Sequence, residues 1–205
     1  MIPADWGVFF MNRHVKLFHS IAPAYQLFFR FERAYYSKLI HRYWAELNLE
    51  GKKKLLDLGS GTGAFAFSWE KAGFSVTAAD AAPGMVRQCR KNGLTCLETD
   101  ILKGLPFEDG VFDVITGAYL AHGLAKEDRS LLYRESSRLA RELVIFHDYS
   151  KRSNPVITLI EKMEGSHYRE FVNAVPGEME MFFKGVKVLA VDPWHNWYIC
   201  TPFGI

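Results

Sequence analysis

The stretch Lys54-Leu55-Leu56-Asp57-Leu58-Gly59-Ser60-Gly61-Thr62-Gly63 decides how this chain is read. Its first half is a short apolar run of strand length. Its second half sets a glycine at every other position, where missing β-carbons let the backbone turn sharply and approach a ligand closely. A helix is expected from Ala64 to Ala72, stopped by Gly73. Strand, glycine turn and helix together open a βα unit.

The same rhythm continues toward the C-terminus. FSVTAA (74–79) reads as a second strand running into Asp80, and a helix follows from Pro83 to Asn92, with Gly93 as its stop. LTCLE (94–98) is a third strand, followed by Asp100. FDVIT (112–116) is a fourth, residues 126–142 read as a helix, and LVIFH (143–147) is a fifth strand. Near-continuous apolar strands of this kind belong to a parallel sheet covered by helices on both faces. Two or three short helical pieces are expected between Pro155 and Phe183. Residues 186–191 and 197–200 then form two strands whose separation is too short for a parallel crossover, so they must pair antiparallel.

Ahead of the sheet, Phe31, Tyr35, Leu39, Tyr43 and Leu47 recur at i, i+4 intervals and predict an amphipathic helix over residues 31–47. The first fifty residues hold 12 of the 30 aromatics, a surplus that points to a segment packed onto the sheet. Residues 1–54 carry nine Lys/Arg against four Asp/Glu, or +5, and the remainder carries −3. That is a weak basic bias rather than the dense stripe of a nucleic-acid binder. With 49% hydrophobic residues in 205, the composition excludes a disordered or fibrous chain and fits one domain with a small appendage. No apolar run reaches membrane-span length and no signal-peptide pattern opens the chain, so a cytoplasmic protein is expected. Cys89, Cys96 and Cys200 have neither disulfide-framework nor metal-ligand spacing, so buried free thiols and no metal site are expected.

The glycine turn followed by Asp80 resembles a dinucleotide fingerprint as much as any other nucleoside site. The further acids shift the balance. Asp80 at the end of the second strand is placed to accept from ribose hydroxyls. Asp100 at the end of the third borders the crevice where such sheets bind ligands. Asp57, beneath the glycines, is an awkward neighbour for a pyrophosphate and a good one for a cation. The Y-x-x-x-K pair of short-chain dehydrogenases and the G-x-x-x-x-G-K-[ST] phosphate loop are both missing.

In order along the chain, LLDLGSGTG (55–63), VTAAD (76–80) with Met85, LETDILKGLPFEDGVFDVI (97–115) and AYLAHGL (118–124) resemble the class I S-adenosylmethionine-dependent methyltransferases. The likeness is strongest to the small-molecule branch that includes the ubiquinone/menaquinone biosynthesis methyltransferases, and it runs from about residue 18 to 149. The resemblance implies an α/β fold with a doubly wound, mostly parallel seven-stranded Rossmann-like sheet, an antiparallel C-terminal strand pair and an N-terminal helical cap. Residues 1–50 would be the cap and 51–205 the methyltransferase domain.

It also implies a cofactor, S-adenosylmethionine, and a small-molecule methyl acceptor. Gly59, Ser60, Gly61 and Gly63 would line its methionine and ribose, and Asp80 would hold the ribose hydroxyls. Ala81 and Met85 would pack on the adenine, Asp100 would accept its amino group, and the backbone of Ile101 would reach the ring edge. Ala118 would lie near the sulfonium. LFHSIAPAYQLF (17–28) is similar to the branch's N-terminal segment, which makes Tyr25 a closing residue, although Gln26 stands where the branch has Asp.

A base is needed only if the acceptor must lose a proton. Tyr119, His122, His147, Asp148 and Tyr149 are the candidates, all near the ends of the fourth and fifth strands. Alternation along a strand would put His147 and Asp148 on opposite faces. Met179, Met181, Phe182 and Phe183 are candidates for an acceptor pocket or for core. The competing functions are a nucleic-acid methyltransferase, a nicotinamide-dependent oxidoreductase and a non-catalytic cofactor-binding protein.

Overall fold

The computed structural model describes residues 5–152 and 167–204, with residues 5–14 described by their backbone alone. The elements run in order as α1 (Asp5–Leu47), β1 (Lys54–Leu58), α2 (Ala64–Lys71), β2 (Ser75–Asp80), α3 (Pro83–Lys91), β3 (Cys96–Glu98), β4 (Phe112–Ala118), α4 (Lys126–Leu139), β5 (Ala140–Tyr149), α5 (Tyr168–Ala174), β6 (Gly185–Ala190) and β7 (His195–Thr201). The strands form one seven-stranded sheet in the order β3-β2-β1-β4-β5-β7-β6. Its first five members are parallel, with Leu55 opposite Val76 and Leu56 opposite Ile115. β7 enters between β5 and β6 and runs antiparallel to both, with His147 opposite Trp197 and Val188 opposite Tyr198.

Alternate residues of the central strands feed two apolar layers. Leu55, Val114 and Ile145 join Phe29, Tyr36, Leu39, Phe65 and Trp69 on the side covered by α1, α2 and α3. Leu56, Ile115, Val144 and Phe146 join Tyr133, Phe171 and Phe183 on the side of α4 and α5. Burial on both faces is why these strands read as apolar runs without a period of two.

Three elements differ from expectation. The helix expected over residues 31–47 is the second half of a longer one, α1, of 43 residues, which continues through Pro23. A proline in a helix interior loses a backbone hydrogen bond; the carbonyl left without that partner is that of His19, which lies against Gly84 of α3. The helix expected over residues 126–142 stops at Leu139, because Ala140 already pairs with Phe112 and the N–H of Gly110 takes the Arg138 carbonyl. Arg141 and Glu142 therefore lie in β5. Of the helical pieces expected between Pro155 and Phe183, α5 and a 3-10 turn at Met179–Met181 are present, and residues 153–166 lie outside the described residues.

Polar ties hold α1 to the rest. Gln26 exchanges amide hydrogen bonds with Asn92 at 2.8 and 3.0 Å, and Asn92 also donates to the Thr62 carbonyl in the glycine loop. At the far end Tyr35 donates to Asp192, next to β7, and Lys187 pairs with Glu46. Cys89, Cys96 and Cys200 are buried free thiols. Among the described residues, no helix is long and apolar enough to cross a membrane.

Candidate functional site

At the carboxyl ends of β1, β2 and β4 the sheet opens into a cavity of about 820 Å³, roofed by α1 and walled by the loops after β3 and β4. This volume lies in the upper part of the range of small-molecule sites, ~300–1,000 Å³. The glycine loop forms its floor. Gly59, Gly61 and Gly63 all have positive φ, at 59°, 54° and 87°. A β-carbon on Gly61 would meet nothing within 4 Å, so that position opens into the cavity.

Three of the loop's amides are already engaged. Ser60 N–H donates to the Ala79 carbonyl, Gly63 N–H to the Ser60 carbonyl, and Gly61 N–H to Asp80 Oδ2 at 2.8 Å. A phosphate-binding turn needs such N–H groups aimed at its ligand, so this loop is poorly made for a pyrophosphate.

The charge of the lining points the same way. Glu32, Asp57, Asp80, Asp100, Glu127 and Asp128 line the cavity, and among the described residues no Lys or Arg does. Burial pushes the Asp57 carboxyl up to about 7, against the opposing pull of the Thr116 hydroxyl, 2.6 Å away, and the Ala66 N–H. Burial also raises Glu32. It raises Asp80 as well, although Ala82 and Gly61 N–H groups offset part of that. Carboxyls crowded into a partly desolvated space favour a cation and repel anions.

Of the eleven residues singled out for the cofactor, ten line this cavity: Tyr25, Gly59, Ser60, Gly61, Asp80, Ala81, Met85, Asp100, Ile101 and Ala118. Each Asp80 oxygen accepts one N–H, from Ala82 and Gly61, which fixes the carboxylate and leaves each oxygen a further lone pair. Asp100 caps the turn at Ile101–Lys103 by accepting from Leu102 N–H at 3.0 Å. Gly63 stands one step back from the cavity. A β-carbon there would meet Leu94 at 2.5 Å and the Cys89 sulfur at 2.8 Å, so its part is to let the loop pack on α3.

The base candidates divide sharply. Asp148 accepts from the N–H groups of Ala121, His122 and Tyr149, and its Oδ1 lies 2.8 Å from His122 Nδ1. Burial opposes its ionisation, but His122 and these N–H groups outweigh it and hold the carboxyl below its usual range. An ionised Asp148 assigns the proton to Nδ1 of His122 and makes Nε2 the basic nitrogen. His122 lines the cavity, as do Tyr119 and Tyr149.

His147 does not. Its ring lies among Tyr35, Tyr36, Phe65 and Tyr119, and its Nδ1 accepts from the Trp197 indole N–H at 3.0 Å. Desolvation drops its pKa to about 3, so it stays neutral. His147 and Asp148 face opposite sides of β5, and the imidazole that pairs with Asp148 comes from the loop after β4.

Met179 and Phe183 are core residues beneath α4, Met181 is exposed, and none of the residues 179–183 reaches the cavity. The sequence reading missed Phe18, Glu32 and Tyr36. They share one face of α1 with Tyr25, at intervals of seven, seven and four residues, which was the available signal. Tyr119 also holds an unexpected backbone, with φ of 50°, the left-handed region that bulky residues avoid. That geometry turns its ring toward those of His122 and Tyr149.

Comparison with known proteins agrees with this construction. A family model described as a methyltransferase domain matches residues 55–142. A demethylmenaquinone methyltransferase of Thermus thermophilus is 36% identical over 129 residues, which cover 58% of this chain and 58% of that protein. The match thus spans little more than half of the relative's length. Among solved structures, one from Methanococcus maripaludis, assigned to the S-adenosylmethionine-dependent methyltransferases, superposes with a TM-score of 0.70 at 18% identity, covering 90% of this chain and 93% of that one. Magnesium protoporphyrin IX methyltransferase of Synechocystis, with bound S-adenosylhomocysteine, gives 0.58 at 15% identity, covering 83% of each chain. These last two speak for the fold. Residues 55–142 therefore match a methyltransferase domain, and over 129 residues the chain is similar to a demethylmenaquinone methyltransferase.

Proposed function

We propose that this protein transfers a methyl group from S-adenosylmethionine to a small acceptor with an apolar or aromatic body. The observation that carries the proposal is a cavity lined by six carboxyls and, among the described residues, no Lys or Arg, over a glycine loop in which the amides of Ser60, Gly61 and Gly63 are already engaged. That lining suits a cationic cofactor and not a dinucleotide or a nucleic-acid backbone. When bound, the cofactor supplies an electrophilic methyl group on a sulfonium.

The residues fit it in the following way. Asp80 holds the ribose hydroxyls through the lone pairs its N–H contacts leave over. Ala81 and Met85 pack on the adenine, Asp100 accepts its amino group, and the backbone of Ile101 meets the ring edge. Gly59, Ser60 and Gly61 line the methionine side, with Gly63 shaping the loop from behind. Tyr25 closes over the cofactor and Ala118 lies near the reacting centre. Residues 1–50 act as the cap and 51–205 as the methyltransferase domain. Displacement in line is accelerated chiefly by holding the partners in register, and the rings of Phe18, Tyr36, Tyr119 and Tyr149 provide a wall that excludes water. His122, oriented by Asp148, takes a proton from acceptors that must lose one.

Calorimetry tests the cofactor assignment. S-adenosylhomocysteine should bind and NADH should not, and Asp80→Ala should weaken binding more than tenfold, or about 1.4 kcal/mol. The opposite ligand preference defeats the reading. Radiolabelled methyl transfer into cell extract then identifies the acceptor.

A further inference from the structure

Among the described residues, the outward face of α1 from residue 15 onward takes no part in the cavity or the core. On its inward side Phe29, Tyr36, Leu39 and Leu47 are buried. On its outward side Leu27 and Phe31 are each 75% exposed and Phe28 is 59% exposed. Large apolar side chains grouped on a solvated helix face mark an interaction surface. The charges set among them have one sign: Lys16, Arg30 and Lys38 are exposed there. At about 100° per residue, Lys16, Leu27, Phe31 and Lys38 fall within roughly 60° of one another on the helix. Between residues 15 and 45 the sole acid is Glu32, which lines the cavity on the other side. Glu46, at the far end, is paired with Lys187.

We propose that this face docks on the surface of an anionic lipid bilayer, with α1 lying in the plane of the headgroups. Leu27, Phe28 and Phe31 enter the boundary of the acyl chains, while Lys16, Arg30 and Lys38 meet lipid phosphates. Charge complementarity selects this occupant. A second copy of the chain, meeting through the same patch on a two-fold axis, would set these cations against themselves with no acid to offset them. A nucleic acid would use the cations but leave the exposed Leu and Phe side chains wet. No described helix is long and apolar enough to cross a membrane, so the contact lies along the surface. The inward face of the same helix contributes Phe18, Tyr25 and Glu32 to the cavity, so docking brings the cavity roof to the bilayer. This surface does not depend on the methyl-transfer reading.

The test is co-sedimentation of the full chain with large unilamellar vesicles of phosphatidylcholine alone, and of phosphatidylcholine mixed with phosphatidylglycerol. Binding should favour the anionic vesicles and weaken as salt is added. It should fall roughly fivefold or more in Phe28→Ser/Phe31→Ser and in Lys16→Glu/Arg30→Glu/Lys38→Glu. Circular dichroism melting and S-adenosylhomocysteine calorimetry on the same variants check the fold and the cavity separately. Sedimentation with neither vesicle, or equally with both, overturns the proposal. So does a wild-type dimer that the Phe28→Ser/Phe31→Ser variant dissolves, or a tRNA gel shift in place of vesicle binding.

Discussion

At Asp57 a carboxyl with 1% of its surface exposed sits under the glycine loop, its pKa pushed up to about 7 by burial. Its folded value lies above the unfolded one, so the folded state holds the extra proton between roughly pH 4 and 7. Ionisation therefore erodes stability as pH rises through that window, by about 4 kcal/mol at most. Asp57→Asn removes this titration while keeping the shape that accepts from Thr116. Without ligand, the variant should gain stability over the wild type as pH climbs from 4 to 7 and keep that gain above 7. Denaturant unfolding across the range reads it, and a difference that stays flat with pH contradicts the account. The same variant should bind the cationic cofactor less well.

The two histidines make an equally local contrast. His122→Ala should slow transfer to a proton-losing acceptor by about 10²–10⁴. His147→Gln should leave kcat within about threefold of wild type, because that ring is sealed from the cavity. His147 acts instead on acid stability. Its folded pKa of about 3 lies below the unfolded value, so its contribution is present above pH 6.5 and is lost as pH falls toward 3. Initial rates and acid unfolding of the two variants separate the roles.

Among the elements, α1 matters most to the cavity because it crosses α3 at very close range. A β-carbon on Gly84 would meet the His19 carbonyl oxygen at 2.5 Å. That oxygen is backbone, so Gly84→Ala must push α1 outward, with Phe18 and Tyr25 on it. A destabilisation of about 1–3 kcal/mol is expected, together with weaker S-adenosylhomocysteine binding in calorimetry. An unchanged affinity would show that the roof does not govern cofactor binding. The periodicity of residues 31–47 was visible because those positions pack on the sheet. The first half of α1 was harder to see because Pro23 reads locally as a helix breaker and the exposed Leu27 and Phe28 blur the amphipathic signal. The end of α4 was missed for a different reason: Arg141 and Glu142 suit a helix locally, and only the pairing of Ala140 with Phe112 makes them strand.

For the molecule as a whole, Arg129 ties the second half of the chain together. It has no exposed surface, forks onto Glu178 at 2.7 and 2.9 Å, and also reaches Glu170 and the Leu124 carbonyl. α4, α5 and the turn at Met179–Met181 meet on this one side chain. Arg129→Met leaves Glu178 buried beside an apolar group and should cost about 3–5 kcal/mol. Adding Glu178→Leu should recover much of that loss. Denaturant midpoints of the single and double variants decide it, and a double variant no better than the single one would refute the pairing argument.

The resemblance to a known family pointed to ten of the residues that line the cavity, and by itself the sequence determined the βα order, the glycine loop and the acids after β2 and β3. Each of these is local: a strand, its turn and the acid at its end lie within a few residues of one another. Three things only the tertiary structure decided. β7 slides between β5 and β6, a matter of long-range pairing that chain order does not encode. His147 turns into the aromatic core while Asp148 turns to His122, because a strand buried on both faces has no polar alternation to set its phase. The cavity gathers six acids from five separated stretches and, among the described residues, no Lys or Arg, a charge balance that exists only once those stretches converge.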